Sequence, residues 1–184
     1  MEKIRCNWSL GSDNMKKYHD EEWGLPVHDD LKHFEFIVLD SFQAGLSWQT
    51  ILNKREGFRK AFANFNPVVV AQFTDSYAEG LMLDSSIIRN RLKIFGTIKN
   101  ARAFLKIQEE FGSFDKFIWQ FVDGVTINNR RESMSDVPAT SPESDALSKV
   151  LKKRGFTFVG STICYAYMQA AGMVNDHLVT CWRK

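Results

Sequence analysis

Residues 28–48 read HDDLKHFEFIVLDSFQAGLSW, and this stretch decides the fold. On a helical wheel, Leu31, Phe34, Val38 and Phe42 make one stripe. Phe36 and Ile37 occupy the opposite side, and Asp40 falls with them one turn on. A helix that is apolar nearly all round is a buried helix. The stretch therefore predicts a core helix over Asp29–Ala44 and places a lone carboxylate inside it.

The same 3.6-residue period recurs along the chain. It predicts helices over Asn14–Glu22, Trp48–Lys54, Gly57–Phe65, Pro67–Phe73 and Ser76–Leu83. Further helices are expected over Ile87–Phe111, Ser113–Val122, Ser144–Arg154 and Ser161–Ala171. Thr140-Ser141-Pro142-Glu143 supplies an N-cap serine, a proline at the first helical position and an acid in the first turn. Gly155 and Gly172 are natural helix stops. Only Phe156–Val159 alternates like a strand, and no hairpin signature accompanies it. The fold class is therefore all-α. Asp123–Glu143 is polar and weakly periodic, and reads as a long connection within the domain.

With 184 residues, 44% of them hydrophobic, the chain has material for a sizeable core and lacks the composition of a disordered protein. A net charge of +2 leaves the partner open. No apolar run has the length of a membrane span, and MEKIRCNWSL lacks the apolar centre of a secretory leader. The three cysteines, Cys6, Cys164 and Cys181, do not make a disulfide framework, so the expected setting is reducing and cytoplasmic. Cys164 lies in an apolar helix and reads as a buried structural thiol.

Four constellations carry chemistry. His177 and Cys181 are spaced i, i+4, so a helix would present both on one face. With Cys6 and His19 they form a Cys2His2 set that leaves a bound metal no open position. The spacing within each half is not that of a zinc finger, so ordinary core residues remain an open reading. Tyr18, Trp23 and Trp48 set aromatic faces beside a carboxylate, Asp40, with Gln43 one turn on; such a group suits a planar, amine-bearing or cationic ligand. Core packing around a paired Asp40 is the alternative. In LMLDSSIIRNRLKI, Leu81–Ile94, a polar turn at Ser85-Ser86 precedes a helix opening on Arg89, Arg91 and Lys93. Free N–H groups there can hold a phosphate, though a solvated charged face reads the same way. Finally, Lys149, Lys152, Lys153 and Arg154 gather at a helix C-terminus, where the dipole alone accounts for them.

Cys6 with Trp8, YHDEEWG, QAGLSW, IIRNRLKI, SDALSKVLKKRGF and FVGSTICYAYMQAAGMVNDH together closely resemble the DNA-3-methyladenine glycosylase I family of helix-hairpin-helix base-excision enzymes. The resemblance runs nearly end to end. It implies an all-helical, two-lobed bundle with a base pocket between the lobes, as a single glycosylase domain over residues 1–184. It implies a helix-hairpin-helix at about Ser76–Phe111, with Ser86, Arg89, Arg91 and Lys93 toward the DNA backbone. It assigns structural Zn2+ to Cys6, His19, His177 and Cys181, tying the chain ends, and pocket roles to Tyr18, Trp23 and Trp48. The implied activity is hydrolytic release of 3-methyladenine, and of 3-methylguanine, from alkylated double-stranded DNA by a monomer without a membrane partner. Asp40 stands where the family pattern usually has Glu, whose carboxylate reads the flipped base. It is the expected catalytic carboxylate, in a pocket empty until a base enters, with Gln43 helping to orient it. The shorter acid also leaves room for a second reading, a non-catalytic or altered-specificity binder of damaged DNA. Ser85-Ser86 stands where some relatives carry Gly.

Overall fold

A computed structural model describes residues 3–184. The described chain is predominantly helical: α1 (Asp13–Glu21), α2 (Asp30–Gln43), α3 (Trp48–Asn53), α4 (Arg55–Ala61) and α5 (Pro67–Val70) come first. They are followed by α6 (Asp75–Gly80), α7 (Arg91–Phe111), α8 (Phe114–Ile118), α9 (Pro142–Lys153) and α10 (Ser161–Ala170).

Helix α2 lies at the centre, as its pattern predicts. Asp29 caps it by accepting a hydrogen bond from Lys32 N, and every residue from His33 to Phe42 is buried. Leu31, the first residue of the expected stripe, is 49% exposed. The core continues through aromatic contacts, Phe34 on Phe104 and Phe104 stacked on Phe114 at 4.1 Å, while Phe42 meets Phe58 on the other side. Helix α10 packs against both α2 and α9.

One carboxylate on α2 is buried by neutralisation rather than by a cavity. Glu35 is 4% exposed and receives Arg55, Arg59 and Lys32; Arg55 also grips Glu22 through both terminal nitrogens at 2.7 Å. Burial alone would raise the Glu22 carboxyl, but Arg55 and Lys32 hold it down to about 2. The network binds α1, α2 and α4 into one wall.

Several expected boundaries move, each for a local reason. The helix expected over Gly57–Phe65 stops at Ala61, because Ala63, Asn64 and Phe65 all take positive φ. The helix expected from Ile87 begins at Arg91, where the Asn90 side chain caps Lys93 N. Residues 87–90 belong instead to the preceding turn. Ser141 and Ser144 form a reciprocal cap, so the ninth helix starts at Pro142. Phe156–Val159 forms no strand. The strand pairing that does occur joins β1 (Ile127–Asn128) to β2 (Val174–Asn175) in parallel. That pairing straps the Asp123–Glu143 connection to the C-terminal segment. The C-terminal segment is not helical around His177 and Cys181; it folds back in turns, with Trp182 N donating to Ile4 O at 2.9 Å.

Candidate functional site: an aromatic cavity around a buried carboxyl

A cavity of about 290 Å³ opens above Asp40. Helix α1 supplies Met15 and Tyr18, α2 supplies Asp40 and Gln43, α3 supplies Trp48, and Trp8 and Trp23 flank α1. The turn between α2 and α3 sets Trp48: Gly45 takes φ +82° where a side chain is rarely tolerated, and Ser47 then caps the next helix through Thr50 N. Trp48 meets Tyr18 at 5.1 Å between ring centroids, and Trp8 meets Trp23 at 5.0 Å. The walls are thus π faces on several sides of one small volume.

The polar groups of this cavity are unusual in lacking partners. Asp40 is 2% exposed, and its Oδ2 makes no hydrogen bond; the indole Nε1 of Trp48 is likewise buried and unpaired. Native interiors rarely leave such groups unsatisfied, because each costs roughly 1–3 kcal/mol. Burial pushes the Asp40 carboxyl well above its ordinary value, which favours its protonated form. Burial and the nearby Asp40 raise the Tyr18 phenol as well. Gln43 lines the same space, but no hydrogen bond joins it to Asp40. The arrangement suits a flat ligand that brings an N–H for Asp40, an acceptor for Trp48 and, if cationic, a charge to ionise the acid.

Five lining residues escaped the sequence reading, Met15 on α1 among them. Ala166 and Gln169 come from α10, and Met134 and Val137 come from the Asp123–Glu143 connection, which thereby forms part of the cavity wall. Residue type alone gives no signal for them. Trp8 was singled out only for its place beside Cys6.

The basic turn is placed differently from its expectation. Ser86 and Arg89 are exposed, and Arg89 forms no ion pair among the described residues. Arg91 pairs with Glu79 at 2.6 Å and lies over Phe95. Lys93, expected toward the DNA backbone, is turned inward instead: it is 7% exposed, and its ammonium donates to Phe42 O at 2.9 Å and Ala44 O at 2.6 Å. It therefore caps the C-terminus of α2, where the helix dipole favours a cation. Lys54 donates to Ser85 O, and a Cβ on Gly57 would lie 2.3 Å from Ser86 O. The turn is seated against the start of α4 at contact distance.

Cys6, His19, His177 and Cys181 converge although no helix joins the last two. All four are buried, and their donor atoms lie within 4.8 Å of one another. Sulfur–nitrogen separations are 3.4 Å for Cys181–His19, 3.5 Å for Cys181–His177 and 3.8 Å for Cys6–His177. A tetrahedral ion with metal–sulfur bonds of about 2.3 Å and metal–nitrogen bonds of about 2.0 Å requires roughly 3.5 Å between such donors. The remaining imidazole nitrogens are already committed, His19 Nδ1 to Asp20 and His177 Nε2 to Trp23 O. The group fits a metal ion, and four protein donors leave no position for a reacting water.

The chain matches the methyladenine glycosylase family model over residues 8–184. It is 48% identical over 177 residues to the DNA-3-methyladenine glycosylase 1 of Escherichia coli (strain K12), covering 96% of this chain and 95% of that one. A crystal structure of a 3-methyladenine DNA glycosylase I superposes with a TM-score of 0.95 at 47% identity, over 97% of this chain and 98% of that one. A Tyr-to-Phe variant of such an enzyme, solved with 3-methyladenine, gives 0.95 at 36% identity over 98% and 97% of the two chains. A Glu-to-Gln variant of the Staphylococcus aureus enzyme, also 36% identical, gives 0.93 over 97% and 96%. The chain belongs to the methyladenine glycosylase family.

Proposed function

We propose that this protein removes N3-alkylated purines, 3-methyladenine foremost and 3-methylguanine with it, from alkylated duplex DNA by hydrolysing the N-glycosidic bond. The observation that carries the reading is the unpartnered Asp40 carboxyl beneath an aromatic-walled cavity of nucleobase size. The Tyr and Glu altered in the two variant relatives are separated in sequence by the same interval as Tyr18 and Asp40, which supports those two positions as base contacts.

The damaged nucleotide turns out of the duplex into the cavity, at less cost when its pairing is already weakened. Tyr18, Trp23 and Trp48 offer stacking faces. The alkylated purine is cationic, so it draws Asp40 toward its ionised form, and the carboxylate accepts from the exocyclic amine. Water adds to C1′ as the C1′–N9 bond breaks. The bond's electron pair neutralises the purine ring, and the water proton passes to solvent. A leaving group that departs neutral needs little acid assistance, and among the described residues no lysine lines the cavity to form a Schiff base. The reaction is therefore monofunctional.

The turn between α6 and α7 reads as the hairpin of a helix-hairpin-helix in a two-lobed, single-domain, monomeric enzyme. Ser86, Arg89 and Arg91 remain its phosphate contacts, and Lys93 positions α2 instead. Zinc is the ion that two thiolates and two imidazoles favour for the chain-end clip, where it holds structure only. Among the described residues no helix is long and apolar enough to cross a membrane, and the cytoplasm is the setting this reading proposes.

The second reading, a binder that does not release the base, is favoured by one observation: Asp40 is one methylene shorter than the Glu of the relative. The strand itself tests the chemistry. Methylated duplex treated with the protein should stay intact until alkali is added and then break at purines. Breaks without alkali would show a lyase and reject the monofunctional mechanism.

A further inference from the structure

Gln169 reaches the cavity from α10, opposite α2, and its amide is not free to turn. Its Nε2 donates to Asp176 Oδ2 at 2.8 Å. Asp176 is fully buried and also accepts from Tyr165 Oη at 2.7 Å, Asn129 Nδ2 at 2.8 Å and Arg131 Nε at 2.9 Å. Arg131 can only donate, and with the Tyr165 hydroxyl and the Asn129 amide it already fills acceptor positions on both Asp176 oxygens. The Gln169 amino group must therefore face Asp176, which leaves its Oε1 as a fixed acceptor. That oxygen accepts no hydrogen bond from any described residue. Asn129 and Arg131 belong to the same connection that brings Met134 and Val137 to the cavity, so one buried carboxylate fixes both the wall and the amide.

We infer that Gln169 Oε1 is a second acceptor for the exocyclic amine of the bound base, with Asp176 as its positioning residue. This rests on the glycosylase reading above and deepens it. A 6-amino purine offers two N–H groups at one edge, one for Asp40 and one for Gln169. A 6-oxo purine sets a carbonyl oxygen against the fixed Oε1, with no donor between them. The cavity accordingly selects 3-methyladenine over 3-methylguanine, and the selection comes from an amide that cannot flip.

The probes are the free bases 3-methyladenine and 3-methylhypoxanthine, which differ at position 6, with binding read by quenching of the cavity tryptophans. Wild type should prefer the amino base by roughly tenfold or more, and Gln169→Leu should lose roughly tenfold of that preference. Asp176→Asn should bind the oxo base better than wild type does, because the Gln169 amide can then turn and offer N–H. A merely structural role would weaken both bases by one factor. Equal losses for the two bases in both variants, or no change in either, would overturn the inference while leaving the function standing. Failure of wild type to bind 3-methyladenine at all would reject the functional reading and the inference with it.

Discussion

Asp40→Asn is expected to release 3-methyladenine on the order of 10²-fold more slowly than wild type, the scale of losing one electrostatic contact in a buried site. The carboxamide keeps the size of the acid and loses the charge that meets a cationic purine. The same substitution should change the pH dependence of stability in a direction the structure fixes. Burial raises the folded-state value of Asp40 well above that of an ordinary aspartate carboxyl. The folded chain therefore holds a proton that the unfolded chain releases once the pH passes the ordinary carboxyl value. Wild-type stability falls as pH rises through that window, by at most about 1.4 kcal/mol per pH unit, and levels off above the raised folded value. The Asn variant lacks this contribution. Its melting temperature should gain on wild type as pH is raised from acid toward neutral, measured by circular dichroism in matched buffers. A constant difference across that range would show that burial does not raise the Asp40 carboxyl as described above.

Loss of the metal group should be the most damaging change to stability. Cys181→Ala removes one donor and leaves His19 and His177 buried with a nitrogen each to satisfy, and it releases the clip between residues 4–6 and 177–182. A bound metal ion adds its binding free energy to folding because the unfolded chain does not hold the four donors together, and the loss of about 5 kcal/mol corresponds to a melting temperature roughly 10–20 °C lower for a chain of this size. Chelation of the wild-type protein should reproduce that drop. Base release per folded molecule, assayed well below the new transition, should be unchanged. Chelation that stops turnover while the melting curve stays in place would contradict a structural role.

The parts of the site that were legible in the sequence are those whose residue type is improbable in its setting. An acid on the apolar side of a core helix, beside Phe36 and Ile37, is such a signal, and Asp40 is buried there. Two Cys and two His at opposite chain ends are another, although the expected helix joining His177 to Cys181 is absent and backbone turns bring them together instead. The illegible parts depend on tertiary partners. Lys93 sits in a run of basic residues that reads as solvated, and only the approach of Phe42 O and Ala44 O turns it into a buried cap. Glu35 carries no sequence signal of burial either, because only the approach of Arg55 and Arg59 neutralises it in the core. Gln169, Met134 and Val137 carry no chemical signal at all, because their role comes from a two-residue strand pairing and one buried Asp176. Helix ends failed where the backbone leaves its ordinary regions, as at Ala63–Phe65, and where a turn borrowed residues from a good helical pattern, as at Ile87–Asn90.

The central claim is that this cavity turns over an alkylated base rather than merely holding it. The direct measurement is multiple-turnover release of free 3-methyladenine from methylated duplex DNA, with DNA in excess over protein. The structure predicts steady release to many base equivalents per protein molecule. A stable complex with the methylated duplex and no free base in solution would contradict it, and would make the shortened acid at position 40 the mark of a binder.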